Sequence, residues 1–119
     1  MDDERDIVKA LTLRLKAEGY DVVSAFDSLQ GVSMTHKERP DLIILDIRMP
    51  AGGGFGVVEK LRLSAHTKSI PIIFISGSQE KDSEVKAKEL GIRFYKKPYD
   101  PEELLGAVRI ELEGKLYPA

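Results

Sequence analysis

The sequence of 119 residues predicts a single α/β domain, in which helices cover both faces of a parallel sheet. Strand-like and helix-like segments alternate along the chain in the order α-β-α-β-α-β-α-β-α. Residues 42–45 and 72–75 are uninterrupted apolar runs, which are typical of strands buried on both faces. Alternation of this kind implies right-handed crossovers and therefore parallel strands.

The first elements follow from caps and apolar spacing. A helix over residues 7–17 has Asp3 or Asp6 as a candidate N-cap and ends at Gly19. Residues 20–26 contain two adjacent valines and predict a short strand.

Asp27 then caps a second helix, with Gln30 as its capping-box partner, and this helix ends before Pro40. Residues 41–45 predict the next strand.

The second half repeats the pattern. A helix over residues 54–64 precedes the strand of residues 72–75, and a polar helix follows over residues 80–90. Residues 92–95 predict the last strand. Asp100 and the proline after it are a strong helix start, and this final helix ends near residue 114.

Composition excludes several functional classes. The formal net charge of −2 implies no strong attraction to nucleic acid or to an anionic membrane. The absence of cysteine excludes disulfides and thiolate metal sites, and it fits a cytoplasmic location. No apolar run approaches the ~20 residues that span a bilayer, and the acidic start is unlike a signal peptide.

Polar side chains stand at the carboxyl ends of the predicted strands. They are the Asp2-Asp3 pair, Asp46, Ser76 and Lys97. Because the carboxyl ends of parallel strands share one edge of a sheet, we expect these side chains to converge. Carboxylates that lie close together need a cation, and an all-oxygen site suits Mg²⁺ or Mn²⁺.

A carboxylate can itself act as a nucleophile that accepts a phosphoryl group. We expect Asp46 to do so, while the cation, Lys97 and the Ser76 hydroxyl neutralise the three phosphoryl oxygens. Taken alone, each of these residues would more often be a cap, a turn residue or a surface charge.

Four motifs stand in order along the chain, namely Asp2-Asp3-Glu4, residues 42–50 with Gly54, residues 72–77 and residues 94–99. Together they resemble one known family, the receiver domains of two-component response regulators. The resemblance covers essentially the whole chain, so we expect residues 1–119 to be one receiver domain. It implies a flavodoxin-like, five-stranded parallel sheet in the order 2-1-3-4-5.

The resemblance also implies residue roles. Asp46 is expected to be phosphorylated by a histidine kinase or a phosphotransfer protein, and Lys97 to pair with the phosphoryl group. Asp2, Asp3, Asp46 and the backbone carbonyl of Arg48 are the expected ligands of Mg²⁺, or of Mn²⁺.

The remaining implied roles concern switching. Ser76 and Phe94 are expected to relay the phosphorylation state to the face formed by the fourth helix, fifth strand and fifth helix. Arg48 and Ser78 are expected to tune the phosphoryl lifetime, and the Lys97–Pro98 peptide bond to be cis.

The chain departs from the family at its first strand, because only Met1 precedes the acidic pair. Without this central strand, buried backbone groups of residues 20–26 and 41–45 would lack partners, at ~1–3 kcal/mol each. We therefore expect a strand upstream of Met1. The alternative is a genuine truncation, with or without rescue by a strand from another chain.

The function expected is a regulatory switch rather than an enzyme, with an unknown effector downstream and no direct contact with nucleic acid or membrane. A homodimer is compatible with the resemblance. One alternative is a phosphorylation-independent, receiver-like module that binds proteins. Another is a phosphatase with Asp46 as nucleophile, although such enzymes of the haloacid dehalogenase type need an acid where Arg48 stands.

Overall fold

A computed structural model describes residues 1–48, 53–77 and 81–116. The helices and strands of these residues follow one another in the predicted alternating order, except for one predicted strand. They are α1 (Arg5–Ala17), α2 (Ser28–Glu38), β1 (Ile43–Asp46), α3 (Gly53–Arg62), β2 (Ile72–Ser76), α4 (Lys81–Glu89), β3 (Arg93–Lys96) and α5 (Pro101–Leu116).

The three described strands form a parallel sheet in the order β1-β2-β3. Ile43 pairs with Ile72, and Phe74 pairs with Phe94, so the strands end at a common edge. Every residue of β2 is buried, as its continuous apolar run predicts.

Helices cover both faces of this sheet, which confirms the doubly wound architecture. One core cluster joins the sheet to α3 and α4, with Leu45, Val58, Phe74 and Ala87 among its members. A second cluster joins the opposite face to α1 and α5. Its buried members are Leu15, Ile73, Ile75, Leu104, Leu105, Ala107 and Val108.

The predicted strand over residues 20–26 does not form. Only Met1 and Asp2 lie between this segment and β1. The Asp2 N–H donates to the Ala25 carbonyl at 3.1 Å, while the Met1 carbonyl accepts from the Asp46 N–H at 2.8 Å. A strand is stabilised by a ladder of such bonds, and two residues supply too few for the segment to pair along its length.

Helix starts agree with the predicted caps at two of three positions. The Asp27 and Asp100 carboxylates accept N–H groups in the first turns of α2 and α5, at 2.8 and 3.0 Å. The α1 prediction is wrong by two residues, because the helix begins at Arg5 with Glu4 as its N-cap. Neither Asp3 nor Asp6 caps it. Instead, the Asp2 carboxylate accepts the Glu4 N–H at 3.0 Å.

Gly54 lets α3 approach the end of β1 closely. A Cβ atom at this position would lie 2.8 Å from the Asp46 carbonyl oxygen and from the Ile47 Cα. Real Cβ atoms do not approach backbone so closely, so glycine is required here. The contact fixes where the chain leaves β1 after Asp46.

The polar helix α4 docks through small residues. Ser83 and Ala87, one turn apart, are buried, whereas Val85 is 56% exposed.

No helix among the described residues is long and apolar enough to cross a membrane.

Candidate functional site

The site lies at the carboxyl edge of the sheet, where the sequence analysis expects its residues to converge. Asp46 ends β1, Ser76 ends β2, and Lys97 directly follows β3. Asp2 joins them from the chain start through its bonds to the neighbouring segments. Sequence positions 2, 46, 76 and 97 therefore meet because parallel strands end together.

Lys97 is the centre of the cluster. Its Nζ lies 2.8 Å from Asp2 Oδ2, 2.9 Å from Glu4 Oε1 and 3.4 Å from Asp46 Oδ2. The side chains of Lys97, Asp2 and Asp46 are each at least nine-tenths buried, whereas Glu4 is half exposed. One ammonium group thus neutralises part of the charge of three carboxylates.

The carboxyl group of Asp46 has a pKa closer to neutral pH than that of an ordinary aspartate. Burial raises the pKa of its carboxyl group to about 6, and the charge of Asp2 adds to this rise. Lys97 and a 3.2 Å hydrogen bond from the Arg48 N–H to Asp46 Oδ1 act in the opposite direction. At neutral pH the carboxylate form predominates, which is the nucleophilic form.

Lys97 stays charged despite its burial. Burial alone would lower its pKa, but hydrogen bonds to Asp2 and Glu4 and the charge of Asp46 raise it above the ordinary value. The ammonium is therefore a fixed positive charge beside Asp46.

The oxygen atoms available to a metal ion differ in one member from the set implied by the resemblance. Carboxylate oxygens of Asp2, Glu4 and Asp46 all lie within 4.8 Å of one another. Asp3 is exposed and is outside this group. Consecutive residues diverge at the start of α1, so Glu4 reaches back over Lys97 while Asp3 does not. A set of three carboxylates fits a hard cation such as Mg²⁺.

Sequence reasoning missed Glu4 as a contributor to the site. Its position directly after the acidic pair was the available signal, because a residue two positions from Asp2 can return to the same side of the chain. Its contact with Lys97 spans 93 positions of sequence and depends on the fold.

Ser76 and Phe94, the residues expected to relay the phosphorylation state, lie in β2 and β3. Ser76 is fully buried, and its carbonyl accepts the Lys97 N–H at 2.8 Å. Phe94 is half-buried and packs against the core cluster that includes Phe74 and Ala87. The Lys97–Pro98 peptide bond is cis. The expected rate-tuning residue Ser78 lies outside the described residues.

The Met1 ammonium group occupies a backbone position rather than the cation site. It donates to the Ile44 carbonyl oxygen at 2.6 Å. Burial lowers its pKa to about 6, although the charges of Asp2 and Asp46 oppose this shift.

Comparison with known proteins gives a consistent result. A family model described as the response regulator receiver domain matches residues 1–109. The chain is 36% identical to the probable transcriptional regulator ycf27 of Porphyridium aerugineum over 110 residues, which are 92% of this chain and 45% of that protein. It is 33% identical to protein PilH of Pseudomonas aeruginosa over 115 residues, which are 96% of this chain and 95% of PilH.

Solved structures show the same likeness. The chemotaxis protein CheY4 of Vibrio cholerae has a TM-score of 0.83 and 29% identity, covering 93% of both chains. The N-terminal domain of an uncharacterised protein from Wolinella succinogenes has a TM-score of 0.88 and 30% identity, covering 97% of this chain and 92% of that one. The chain spans less than half the length of the ycf27 regulators it matches.

Proposed function

Because the chain belongs to the family of response regulator receiver domains, we propose that it is a phosphorylation-dependent switch with Asp46 as its phosphoacceptor. A phosphohistidine on a histidine kinase or a phosphotransfer protein supplies the phosphoryl group.

One observation carries the proposal, namely the position of Asp46 beside Lys97. A buried carboxylate at the end of β1, 3.4 Å from a buried ammonium group, combines a nucleophile with a fixed positive charge. A structural ion pair needs only one carboxylate, whereas this ammonium group has three around it. Excess negative charge is what a site needs if it also binds a cation.

The transfer step is a displacement at phosphorus. A carboxylate oxygen of Asp46 forms the new O–P bond as the N–P bond of phosphohistidine breaks, and the electron pair of that bond stays on the imidazole nitrogen. The Arg48 N–H bond to Asp46 Oδ1 orients the carboxylate for this attack. Lys97 stabilises the charge on the transferred group.

The carboxylates of Asp2, Asp46 and Glu4 are the groups that would hold Mg²⁺. The backbone carbonyl of Arg48, which the family resemblance implies as a ligand, would join them. The bound ion supplies charge neutralisation for the phosphoryl oxygens. Asp3, which the family resemblance implies as a ligand, is exposed and would have to turn inward to contribute.

Relay of the signal is assigned to Ser76 and Phe94. A phosphoryl group on Asp46 would draw the Ser76 hydroxyl toward it, because β1 and β2 end side by side. The space that this movement vacates admits the half-buried ring of Phe94, which adjoins α4. The face that reads out the state is therefore formed by α4, β3 and α5.

One relative of this chain is named as a DNA-binding protein. RpaA of Synechocystis is named as a DNA-binding transcriptional regulator, and this chain matches 46% of its length. The expectation that residues 1–119 themselves do not bind nucleic acid stays a prediction, as does the expected homodimer.

The test uses beryllofluoride, which mimics an acyl phosphate on a carboxylate. With Mg²⁺ present, we expect wild-type protein to show amide NMR shifts near residues 76 and 94 and a higher Tm, since a ligand that binds only the folded state stabilises it. Asp46→Asn should show neither change.

Glu89→Gln is the matched control, because Glu89 is an exposed acid at the end of α4 that leads to the start of β3, whereas the site lies at the carboxyl edge of the sheet. It should respond as the wild type does. A response that persists in Asp46→Asn, or a folded wild type without any response, would contradict the proposal and favour the phosphorylation-independent binding module.

A further inference from the structure

The ammonium group of Lys97 uses all of its hydrogen-bond donors on carboxylates. Its Nζ lies 2.8 Å from Asp2 Oδ2, 2.9 Å from Glu4 Oε1 and 3.4 Å from Asp46 Oδ2. An ammonium group has three N–H bonds and no acceptor, so three carboxylates occupy it fully. A phosphoryl oxygen that binds Lys97 therefore has to replace one of these partners.

The three partners of Lys97 differ in how easily they can be released. The side chains of Asp2 and Asp46 are 4% and 3% exposed, whereas that of Glu4 is 56% exposed. A buried carboxylate that loses its ammonium partner is left without compensation by water. An exposed carboxylate is hydrated as soon as it is released, so Glu4 is the partner that Lys97 loses most readily.

The position of Glu4 allows its side chain to leave Lys97 without a change in the fold. Glu4 is the N-cap residue of α1, with an extended backbone conformation, and its side chain makes no capping hydrogen bond. Because it is the exposed member of the group, it covers the side of Lys97 that faces solvent. A rotation of this one side chain would uncover the ammonium group.

A phosphoryl group that arrives at Asp46 would act directly on Glu4. Such a group adds a charge of about −1.5 to −2 at neutral pH. Carboxylate oxygens of Glu4 and Asp46 lie within 4.8 Å of each other, a separation at which like charges repel. The incoming group would therefore repel Glu4 and also compete with it for Lys97.

We propose that Glu4 is an exchangeable counter-ion of Lys97, which the incoming phosphoryl group displaces. The exchange is noncovalent, since the Lys97 N–H that donates to Glu4 turns to a phosphoryl oxygen and Glu4 becomes hydrated. Glu4 is thus a positioning residue that acts through Lys97 and opposes phosphoryl uptake. The inference rests on the proposed function of Asp46, and it assigns a regulatory role to a residue outside the set that the family resemblance implies.

The first test measures the affinity for beryllofluoride by amide NMR titration in saturating Mg²⁺. Saturation removes any difference in metal affinity, because Glu4 also belongs to the group that would hold the ion. We expect Glu4→Gln to bind beryllofluoride about fivefold more tightly than the wild type, since the competing ion pair is gone. Glu4→Asp keeps the charge but is too short to maintain the contact, so it should bind about twofold more tightly.

Asp6→Asn is the matched control for the loss of one negative charge. Asp6 is exposed in the first turn of α1, and it is outside the carboxylate group around Lys97. This variant should bind beryllofluoride as the wild type does. Equal tightening in Asp6→Asn and Glu4→Gln would show a general charge effect and overturn the proposal.

The second test needs neither metal nor beryllofluoride. NMR of ¹⁵N-labelled lysine side chains measures how fast the Lys97 ammonium protons exchange with water. We expect exchange at least tenfold faster in Glu4→Gln than in the wild type, because the cover on the solvent side is removed. If Lys97 of the wild type exchanges as fast as the exposed Lys9, Glu4 does not cover it and the proposal is wrong.

The outcomes separate this inference from the proposed function. If the wild type binds beryllofluoride and Glu4→Gln binds it equally or more weakly, the exchange at Lys97 is refuted while Asp46 remains the phosphoacceptor. If Glu4→Gln binds more tightly but Glu4→Asp equals the wild type, repulsion alone acts and Glu4 is not a counter-ion. A folded wild type that binds no beryllofluoride would refute both proposals.

Discussion

The buried charges of Asp46 and Lys97 dominate the electrostatics of the site. Lys97 has contacts of 2.8 to 3.4 Å with three carboxylates, so the site has more negative than positive charge. Burial and the charge of Asp2 raise the pKa of Asp46 to about 6, which leaves the carboxylate mostly charged at neutral pH. The same burial of charge reduces the stability of the folded state.

The first prediction concerns pH. Because the pKa of Asp46 is higher in the folded state than the ~3.9 of an unfolded chain, the folded state binds this proton more strongly. Without metal, the free energy of unfolding should therefore fall as pH rises from ~4 to ~6, by about 1–2 kcal/mol from this group. Urea unfolding at several pH values measures it. Asp46→Asn should lack this fall and be the more stable protein at pH 7; parallel curves for the two proteins would refute the prediction.

The second prediction compares the contributions of two exposed acids, Glu4 and Asp3, to Mg²⁺ binding. Glu4→Gln should weaken Mg²⁺ binding roughly tenfold, since it removes one carboxylate from the described group. Asp3→Asn should have a smaller effect, because Asp3 lies outside that group. Calorimetric titration with Mg²⁺ compares the two variants. If Asp3→Asn proves the more damaging, the ligand set implied by the family resemblance is the correct one.

At the scale of elements, the packing of α3 against β1 holds Asp46, the proposed phosphoacceptor, in place. Gly54 permits an approach to the Asp46 and Ile47 backbone that no side chain would allow. By contrast, a Cβ atom at Gly56 in the same helix would meet nothing within 4 Å.

The third prediction uses this contrast. Gly54→Ala should destabilise the protein by at least ~2 kcal/mol, because backbone must move away from the added methyl group. Gly56→Ala should stabilise it by about 0.5–1 kcal/mol through the higher helix propensity of alanine. Denaturant unfolding of both variants provides the measurement. Equal effects would mean that α3 does not constrain the end of β1.

The helix α4 packs against the rest of the molecule through small residues. Ser83 and Ala87 are its buried residues, while the larger Val85 faces outward. Small residues bring α4 close to β3 without deep interdigitation, so less apolar area holds it in place than holds α3 or α5. A helix that is docked in this way suits the proposed role of α4 in reading out the state of Ser76 and Phe94.

For the whole molecule, stability is distributed unevenly between the two sides of β1. Strands β1 and β2 are paired and largely buried, whereas α1 and residues 20–25 face a cavity of about 540 Å³ beside β1. The lining of a cavity lacks packing partners on one side, and this lowers the stability of the elements that form it.

The fourth prediction follows from this distribution. In hydrogen exchange, amides of β1 and β2 should exchange only through global unfolding, whereas those of residues 20–26 should exchange at least tenfold faster. Mass spectrometry of proteolytic fragments resolves these segments. Uniform protection across the chain would argue against a lower local stability of residues 20–26.

The fold and much of the site follow from local features of the sequence. Continuous apolar runs at residues 42–45 and 72–75 identified the buried strands, because only strands covered on both faces lack polar alternation. Asp46, Ser76 and Lys97 could be placed together since each follows or ends such a run. The family match over residues 1–109 confirms the resemblance on which the remaining roles depend.

Features that depend on long-range partners could not be predicted in the same way. Residues 20–26 have the composition of a strand, yet pairing requires a neighbour along their whole length. The contribution of Glu4 depends on where Lys97 lies after the chain has folded. The inward side of α4 was also not evident, because a polar helix with few apolar residues has no clear periodicity.

The sequence by itself determined the order of elements, the parallel sheet and the edge at which its carboxylates meet, because apolar runs, caps and strand ends are encoded by neighbouring residues. Tertiary structure alone decided that Glu4 joins Asp2 and Asp46 around Lys97, and that residues 20–26 do not pair as a strand. Both depend on contacts between residues far apart in the chain. Local sequence cannot specify such contacts, since their energy arises only when the folded backbone brings the partners together.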